Sequence, residues 1–447
     1  MKHRTSGIVL CMVACLSFGT ASILQAQASA TQAAQPTATG SDELKFVVIV
    51  SRHGVRSPTG KTDQLNQYAR QPWPAWSVPP GYLTEHGAKL MTLMGAYDRQ
   101  QLAADGLLAP GGCADAPHIR VIADSDQRTR ETGKALAAGL APDCGLEIVA
   151  LPEGTPDPLF HAVGAGVGHP DKMLATAAIS GRIGANPQGI VEAYRPQLEA
   201  LDEVLRGCKK GTAFTGPGTP PAQSILDIPS SLVPGKGDHL VELHSPLGTA
   251  STMAENLLLE YTEGLDTANI GWGRVDVNKL REFIQLHTAY EDITQRATYI
   301  ARVQSSNLLS HILQSMKQAA SDTPVAGSLV KPGDRLLILV GHDTNLVNIS
   351  GALGLSWLID GRRDDTPPGG ALTFELWKDR ATGDYSVRAF YTAQTLDQMR
   401  NATPLSLQSP PERVPVFMPM CGQSYGYCQW VGFQRAVRAA TDATFVK

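Results

Sequence analysis

The residues best suited to chemistry are Arg52, His53 and Arg56, which follow directly after the apolar segment 45–50. A run of β-branched and aromatic residues that ends at a polar turn is typical of a buried strand leading into an active-site loop. Planar guanidinium groups can bind phosphate oxygens in pairs, and a neutral imidazole between them can attack phosphorus as a nucleophile. An isolated arginine–histidine pair would more often be solvated. The position of these three residues at the end of a strand favours a phosphate site.

Two other predicted strands end in residues of related chemistry. Arg128 lies shortly after the strand 118–123, and His342 and Asp343 follow the strand 334–340. The carboxyl ends of parallel strands meet at one crevice, so these side chains can converge on a single ligand. Three arginines and a histidine can stabilise the charge of a transferring phosphoryl group without a metal, and Asp343 can protonate the leaving alcohol. For a His-Asp pair alone, a structural histidine beside a helix-capping aspartate is the better interpretation, but its place after a strand favours the catalytic one.

Signatures of other phosphatase and cofactor chemistries do not occur in this sequence. No cysteine has an arginine six positions later, as a thiolate phosphate loop requires, and no HExxH-type metal motif is present. The glycine-rich segment 164–168 lacks the preceding strand and the following helix of a dinucleotide site. We therefore expect no cofactor and no metal. Other histidines are interpreted as structural or surface residues, among them His161, His169, His244 and His287.

The alternation of strand-like and helix-like segments predicts an α/β fold. Helices are expected at 84–104 and 131–140, after the first and second strands, and this repeat is typical of a mostly parallel sheet flanked by helices. A strand at 371–377 with an antiparallel partner at 385–392 and a terminal helix at 431–441 complete the predicted sheet layer.

The segment 151–290 has a different pattern, in which Gly/Pro-rich loops separate helical stretches. We predict that it forms a mostly helical cap, inserted into an α/β domain made of residues 42–150 and 291–447. The helical patterns in and after this segment lie at 190–205, 248–261, 277–290 and 294–318.

Residues 1–30 have the pattern of a secretory signal peptide. A short basic start precedes the apolar segment 7–19, which is too short to span a bilayer, and small residues allow cleavage after Ala28 or Ala30. No later segment is long and apolar enough to be transmembrane, so we expect the mature protein to be periplasmic and not bound to a membrane. The formal net charge of −4, without a basic run, argues against a nucleic-acid partner.

The cysteines fit an exported protein. Those beyond the predicted signal are Cys113, Cys144, Cys208, Cys421 and Cys428. None has the CxxC spacing of a zinc site, and disulfides are the better interpretation in an oxidising compartment. We expect Cys113 to pair with Cys144 and Cys421 with Cys428, which leaves Cys208 unpaired.

Three motifs together resemble the histidine acid phosphatase family, in particular its bacterial periplasmic phytases and acid phosphatases. They are Arg-His-Gly-Val-Arg-Ser-Pro-Thr at 52–59, Asp-Ser-Asp-Gln-Arg-Thr-Arg at 124–130 and Gly-His-Asp-Thr-Asn at 341–345. The resemblance implies that His53 becomes a phosphohistidine and that Asp343 is the proton donor. It also implies phosphate binding by Arg52, Arg56, Arg128 and His342, and substrate-binding positions at Thr59, Lys61 and Glu255.

The implied reaction is metal-independent hydrolysis of a small phosphate monoester at acid pH, and we expect a monomer. Asp343 must be protonated to act, while nearby arginines keep His53 neutral and nucleophilic. Two positions depart from the family pattern: Lys61 lies one residue later than the usual lysine, and Gln304 stands where phytases of this group usually have a substrate-binding arginine. Phytate is the expected substrate. The alternatives are a glucose-1-phosphatase-like or broad-specificity enzyme and, from another class, a non-catalytic phosphate-ester binding protein.

Overall fold

The computed structural model describes residues 42–60, 62–208, 211, 223–237, 239–421 and 427–447. The predicted signal peptide at 1–30 and the predicted substrate-binding residue Lys61 lie outside these residues. Within the described part of the chain, no helix combines the length and the apolar character needed to cross a bilayer.

Strands and helices alternate along much of the described chain. The strands are β1 (Asp42–Arg52), β2 (Ile119–Ala123), β3 (Ile148–Val149), β4 (Ser231–Pro234), β5 (Val241–His244), β6 (Leu336–Gly341), β7 (Leu358–Ile359), β8 (Arg362–Arg363), β9 (Ala371–Asp379), β10 (Tyr385–Ala393), β11 (Glu412–Pro415) and β12 (Cys428–Gln429). The α-helices are α1 (Thr62–Asn66), α2 (Glu85–Ala104), α3 (Gln127–Leu140), α4 (Lys172–Arg182), α5 (Pro187–Ala193), α6 (Arg195–Arg206), α7 (Pro246–Thr262), α8 (Val277–Thr294), α9 (Thr298–Ser321), α10 (Asp343–Leu353), α11 (Leu396–Asn401) and α12 (Trp430–Ala440).

One large sheet has the strand order β11-β10-β9-β1-β6-β2-β3, and β12 also pairs with β10. The central strands β1, β6, β2 and β3 are parallel, whereas β9, β10 and β11 are joined antiparallel. Val340 of β6 is the register partner of Ser51 in β1 and of Ala123 in β2. The carboxyl ends of these three strands therefore lie at the same level of one sheet edge. The predicted α/β fold is confirmed, and so is the antiparallel pairing of β9 with β10.

Helices cover both faces of this sheet. The side chains of β1 alternate between two layers, as the two-residue period of a strand requires. Val47 and Ile49 pack in the cluster with α2 and α3. Phe46, Val48 and Val50 pack in the cluster with α9, α10 and α12. Every residue of β6 is buried, which explains its continuous apolar sequence.

A third core belongs mainly to the helices α4 to α8. Its buried members include Leu257 of α7 and Phe283 of α8. Helix α9 belongs to two clusters, because Ile300 packs in this helical core and Leu308 packs against the sheet. The predicted cap boundary at residue 290 falls within α8, and the division of the chain into an α/β domain and a helical cap stays a prediction.

Several helix boundaries differ from the predicted ones for local reasons. The helical pattern at 190–205 is divided into α5 and α6, because Pro196 lacks a backbone N–H and is accommodated in the first turn of a new helix. Helix α10 begins at Asp343, directly after β6 and His342. There the side chain of Asn345 accepts a hydrogen bond from the backbone N–H of His342 and completes a capping box. Helix α4 has no counterpart among the predicted elements.

The described residues contain two disulfides, one near the surface at a sequence separation of 31 residues and one between two buried cysteines at a separation of 7. Cys113 is bonded to Cys144, and Cys421 is bonded to Cys428. Both predicted pairs are confirmed, and Cys208 takes part in neither bridge.

Candidate active site

The predicted site residues lie at the carboxyl ends of β1, β6 and β2. The backbone N–H of His53 donates to the carbonyl of Gly341 at 2.9 Å, and that of Asp124 donates to the carbonyl of Val340 at 2.9 Å. On the opposite side, Gly369 donates to the carbonyl of His53 at 2.9 Å. The first residues after β1 and β2 are therefore both held by the end of β6, and the side chains at this edge share one buried site.

His53 is buried and has a defined tautomer. Its Nδ1 lies 2.8 Å from the carbonyl oxygen of Gly54, which can only accept, so Nδ1 carries the hydrogen and Nε2 keeps the lone pair. Burial lowers the pKa of the imidazole well below its usual range, and Arg52, Arg56 and Arg128 lower it further. The side chain is therefore a neutral imidazole, which is the form that a nucleophile requires.

Arg52 is fully buried and bonded to acceptors on two sides. Its Nη1 donates to the carbonyl of Thr366 at 2.7 Å, and its Nη2 forms ion pairs with Asp343 at 2.8 Å and with Glu255. The Nη2 of Arg56 also pairs with Glu255, at 3.0 Å. Glu255 therefore joins the two arginines of the first motif and partly neutralises their charge.

Asp343 is a carboxylate in the protein alone. Burial by itself would raise its pKa, but Arg52, His287 and Arg56 outweigh burial and hold the pKa well below the usual range of a carboxyl group. The backbone N–H of Thr344 also donates to Oδ1 at 2.7 Å. Proton donation by Asp343 therefore requires that its surroundings change when substrate binds.

His342 is held by Asp124, which belongs to the second motif but not to the predicted site residues. The Nε2 of His342 lies 2.6 Å from Oδ2 of Asp124, and Nη2 of Arg128 lies 3.3 Å from Nδ1 of the same ring. Because a carboxylate can only accept, Nε2 carries a hydrogen and donates it to Asp124. Burial lowers the pKa of His342, the hydrogen bond to Asp124 raises it, and Arg128 lowers it.

His161 donates to the same carboxylate oxygen of Asp124, at 3.0 Å from Nε2. Burial would raise the pKa of Asp124, but its hydrogen bonds with His161 and His342 hold the pKa below the usual range. The carboxylate is therefore ionised. The interpretation of His161 as a structural or surface residue overlooked this contact, and no spacing in the sequence connects it with His342.

Asp124, His161 and His342 are the one group of described residues in which donor atoms of three His, Cys, Asp or Glu side chains lie within 4.8 Å of one another. Those atoms are already joined by hydrogen bonds, and the guanidinium of Arg128 lies against His342. We therefore interpret the group as a hydrogen-bonded network.

Glu291 of α8 is a further buried acid near the site. Burial raises its pKa well above the usual range, and the negative charges of Asp343 and Glu255 raise it further. Its Oε2 is buried and has no hydrogen-bond partner among the described residues. A neutral carboxylic acid therefore lies near two carboxylates, and the sequence contains no motif that indicates it.

Thr59 is exposed at the rim of the site, beside Gly81. A Cβ at Gly81 would lie 3.2 Å from Cγ2 of Thr59 and 3.6 Å from Nη1 of Arg128, and the backbone φ of Gly81 is +79°. Gly81 thus allows the threonine and the arginine to lie close to the same turn. Lys61 lies outside the described residues, and Gln304 is half-buried on α9.

A sequence profile of the histidine phosphatase superfamily (branch 2) matches residues 43–198 and 249–392, well over half of the chain. The chain belongs to this superfamily. Phytase AppA of Escherichia coli (strain K12) is 35% identical over 402 residues, which cover 89% of this chain and 92% of that protein. Glucose-1-phosphatase of Providencia rettgeri is 28% identical over 409 residues, with the same shares of 89% and 92%.

Solved structures of phytases share the fold of this histidine phosphatase. Hafnia alvei phytase in complex with tartrate superposes with a TM-score of 0.83 at 35% identity, over 92% of this chain and 100% of that chain. Citrobacter braakii phytase superposes with a TM-score of 0.80 at 34% identity, over 90% of this chain and 99% of that chain. The resemblance carried by the three motifs is confirmed: the protein is a hydrolase of the histidine acid phosphatase and phytase family.

Most of the predicted site residues of this histidine phosphatase converge, while their individual roles stay predictions. The residues brought together are Arg52, His53, Arg56, Arg128, Glu255, His342 and Asp343. Thr59 lies at the rim. The residues that sequence reasoning missed are Asp124, His161 and Glu291.

Proposed function

We propose that this histidine phosphatase is an acid phosphomonoesterase that forms a phosphohistidine at His53. The observation that carries the proposal is the buried, neutral imidazole of His53 among Arg52, Arg56 and Arg128. Phosphoryl transfer depends mainly on positioning and on stabilising charge, which guanidinium groups supply. The Nε of each of these arginines is buried and has no acceptor among the described residues.

The proposed reaction has two steps. In the first, Nε2 of His53 attacks phosphorus, a P–N bond forms, and the ester P–O bond breaks while the leaving oxygen takes a proton from Asp343. In the second, water attacks the phosphohistidine, the carboxylate of Asp343 accepts its proton, and the P–N bond breaks to release inorganic phosphate. The arginines and His342 stabilise the phosphoryl oxygens in both steps.

The ion pair between Arg52 and Asp343 supports an acid pH optimum. A phosphate bound to Arg52 competes with Asp343 for the guanidinium and so weakens the interaction that holds the carboxyl pKa low. The negative charge of the phosphate raises that pKa further. His53 stays neutral under the same conditions, because burial and the arginines lower its pKa. Substrate binding and acid pH together therefore convert Asp343 into the proton donor.

We propose phytate as a substrate, together with other small phosphate monoesters. The phytase among the relatives supports phytate. A specific observation favours the glucose-1-phosphatase-like alternative: Glu255 and Glu291 lie near Asp343, and Gln304 is uncharged at the position where the family resemblance implies an arginine. Acidic groups near the proposed proton donor favour the hydroxyls of a sugar over the additional phosphates of phytate.

Acid-quench trapping distinguishes an enzyme from a binding protein. Wild type mixed with a radiolabelled phosphate ester should retain acid-labile phosphate, whereas His53→Ala should retain none and hydrolyse p-nitrophenyl phosphate far more slowly. His169→Ala is the matched control, since this histidine is exposed. Hydrolysis by His53→Ala at the wild-type rate would refute the mechanism. Phosphate binding by the wild type without hydrolysis or trapping would support the non-catalytic alternative.

A panel of kcat/KM values ranks the candidate substrates. Phytate, glucose 1-phosphate and p-nitrophenyl phosphate would be compared at acid pH, with the wild type and with enzyme treated with a chelator. A higher kcat/KM for phytate than for glucose 1-phosphate supports the phytase proposal, and the reverse order supports the alternative. Activity that disappears with the chelator would contradict metal-independent catalysis.

We also propose that the mature protein is periplasmic and monomeric, with the segment 151–290 as a cap over the α/β domain of 42–150 and 291–447. The two disulfides support an oxidising compartment. Glu255, which lies in this segment, pairs with Arg52, and this supports a cap that takes part in the site. Cell fractionation and sedimentation analysis test compartment and oligomeric state.

A further inference from the structure

The loop that carries His161 is attached to the start of α10. The Oδ1 of Asn345 accepts a hydrogen bond from the backbone N–H of His342 at 2.8 Å, and its Nδ2 donates to the carbonyl of Phe160 at 2.8 Å. The ring of Phe160 lies over Gly341, where a Cβ would be 2.7 Å from Cδ1 of the ring. One side chain therefore connects the backbone of His342 to the residue that precedes His161.

Contacts within the loop and with α9 define the position of His161 further. Its backbone N–H donates to the carbonyl of Asp157 at 2.7 Å, and the side chain of Asp157 accepts from the N–H of Leu159 at 2.8 Å. Asn307 of α9 donates to the carbonyl of Pro158 at 2.8 Å. The backbone that carries the imidazole of His161 is therefore held by hydrogen bonds within the loop and with α9.

One carboxylate oxygen of Asp124 accepts hydrogen bonds from two imidazoles. Its Oδ2 accepts from His161 at 3.0 Å and from His342 at 2.6 Å, while Oδ1 is buried without a partner among the described residues. The ring centroids of His161 and His342 are 5.1 Å apart, and those of His342 and His53 are 5.7 Å apart. The side chain of His161 is 35% exposed and that of Asp124 only 1%. A chain of side chains therefore leads from solvent to the nucleophile.

We propose that His161 is a positioning residue for phosphate hydrolysis: through Asp124 it holds the imidazole of His342 at the phosphate and limits how readily this imidazole takes a second proton. The inference rests on the proposed role of His342 in binding phosphate. Because Nε2 of His342 donates to Asp124, only Nδ1 remains for the phosphate, and Nδ1 can donate only when the ring is protonated. Asp124 stabilises that cation, and its carboxylate is shared with His161.

The charges on Asp124 and His161 determine whether replacing His161 raises or lowers the pKa of His342. The negative charge of Asp124 favours protonation of His342, whereas positive charge on His161 opposes it, so the pKa of His342 is raised by the first and lowered by the second. Replacing His161 by an uncharged residue should therefore raise the pKa of His342. Several other titratable or charged groups face the two imidazoles. They are Asp124, Asp126 and Arg128 at or just before the start of α3, Asp157 in the loop, His53 after β1 and Asp343 at the start of α10.

The variant His161→Gln tests the inference, because the longer amide of glutamine can place an N–H donor near the position of Nε2 for Asp124 but cannot be charged. We expect the alkaline limb of its kcat/KM profile with p-nitrophenyl phosphate to move to higher pH by about half a unit or more. The inhibition constant of inorganic phosphate should stay low to a correspondingly higher pH. His161→Ala removes the donor as well and should lower kcat by about tenfold, whereas His161→Gln should keep most of the wild-type kcat. His169→Gln, an exposed control close in sequence, should match the wild type.

Two further measurements follow His342 directly and test whether the effect of His161 depends on Asp124. NMR of ¹³C-labelled histidine and calorimetry with inorganic phosphate follow His342 without requiring turnover. In an Asp124→Asn background, which lacks the shared carboxylate, His161→Gln should cause a clearly smaller shift in the titration of His342 than in the wild-type background. An equal shift in both backgrounds, or a wild-type profile for His161→Gln, would overturn the inference. If His342→Asn binds phosphate and hydrolyses esters like the wild type, the proposed role of His342 is wrong. If His342→Asn is impaired while His161→Gln behaves like the wild type, only the inference about His161 fails.

Discussion

Arg52 and Asp343 form an ion pair of 2.8 Å at the ends of two adjacent parallel strands. Arg52 is the last residue of β1, and its register partner in β6 is Gly341, which shortly precedes Asp343. The register of the sheet therefore places a phosphate-binding cation beside the acid that protonates the leaving group in the proposed mechanism. A phosphate must compete with Asp343 for the guanidinium, so substrate binding and proton donation are linked.

Replacing Asp343 by Asn should affect substrates according to their leaving groups. We expect kcat for alkyl esters such as glucose 1-phosphate to fall by about 10²–10⁴-fold, because a poor leaving group needs a proton donor. Activated aryl esters such as p-nitrophenyl phosphate should lose far less. Steady-state kinetics with both esters checks this expectation, and equal losses would count against the acid role of Asp343.

Two observations serve as controls for this variant. Asp384→Asn, at an exposed turn, should retain wild-type rates with both esters. Asp343→Asn should bind inorganic phosphate more tightly than the wild type, because the amide no longer competes as an anion for Arg52. Weaker phosphate binding would show that Asp343 does not oppose the ligand.

Gly87 of α2 lies against the backbone of Val55, in the loop of the first motif. A Cβ at Gly87 would be 2.1 Å from the carbonyl oxygen of Val55 and 2.9 Å from its carbonyl carbon. Backbone atoms cannot rotate aside, so Gly87→Ala should displace α2 from this loop and reduce the free energy of unfolding by about 1–3 kcal/mol, with loss of activity. Thermal unfolding and kcat would be measured together. A Cβ at Gly111 would have no atom within 4 Å, so Gly111→Ala should leave the free energy of unfolding unchanged. Equal stability of the two variants would contradict the close contact at Gly87.

Glu260 of α7 should make stability depend on pH. Burial raises its pKa from 4.5 to about 8, although the N–H of Gly271 donates to Oε2 at 3.0 Å and lowers it. Because the folded-state pKa is the higher one, the unfolded chain ionises first as pH rises, and stability is lost between the two pKa values. Glu260→Gln should therefore raise the free energy of unfolding by about 1–3 kcal/mol near neutral pH and change it little at about pH 4.

The unfolding temperatures of Glu260→Gln and wild type would be compared at these two pH values. Glu203→Gln on the exposed side of α6 is the control and should leave the unfolding temperature unchanged at both. A stabilisation by Glu260→Gln that is equally large at acid pH would mean that titration of Glu260 is not its cause.

Gln304→Arg tests the substrate preference. A cation at this position on α9 should raise kcat/KM for phytate by about two- to fivefold, the range expected of a partly exposed ion pair. The value for glucose 1-phosphate, which has a single phosphate, should change little. Gln314→Arg, on the same helix, should leave both unchanged. If Gln304→Arg raises neither value or both equally, residue 304 does not select polyphosphorylated substrates.

The first motif shows how much of the site can be predicted locally. Arg52, His53 and Arg56 follow a buried strand at short spacing, so their types and positions indicate phosphate chemistry before any tertiary contact is known. Helix α10 shows the limit of such reasoning. Its start at Asp343 depends on the side chain of Asn345, which also bonds the carbonyl of Phe160 in a distant loop.

The sequence by itself determined the α/β fold, the family, both disulfide pairs and most of the residues that converge at the site, because strand and helix periods and short motifs are properties of neighbouring positions. Only the tertiary structure decided how those residues are charged and connected. Asp124 is separated by 37 residues from His161 and by 218 from His342, and their contacts depend on the register of β2 and β6. Likewise, the ionised state of Asp343 and the neutral state of Glu291 depend on burial and on charges from other segments, which no local pattern encodes.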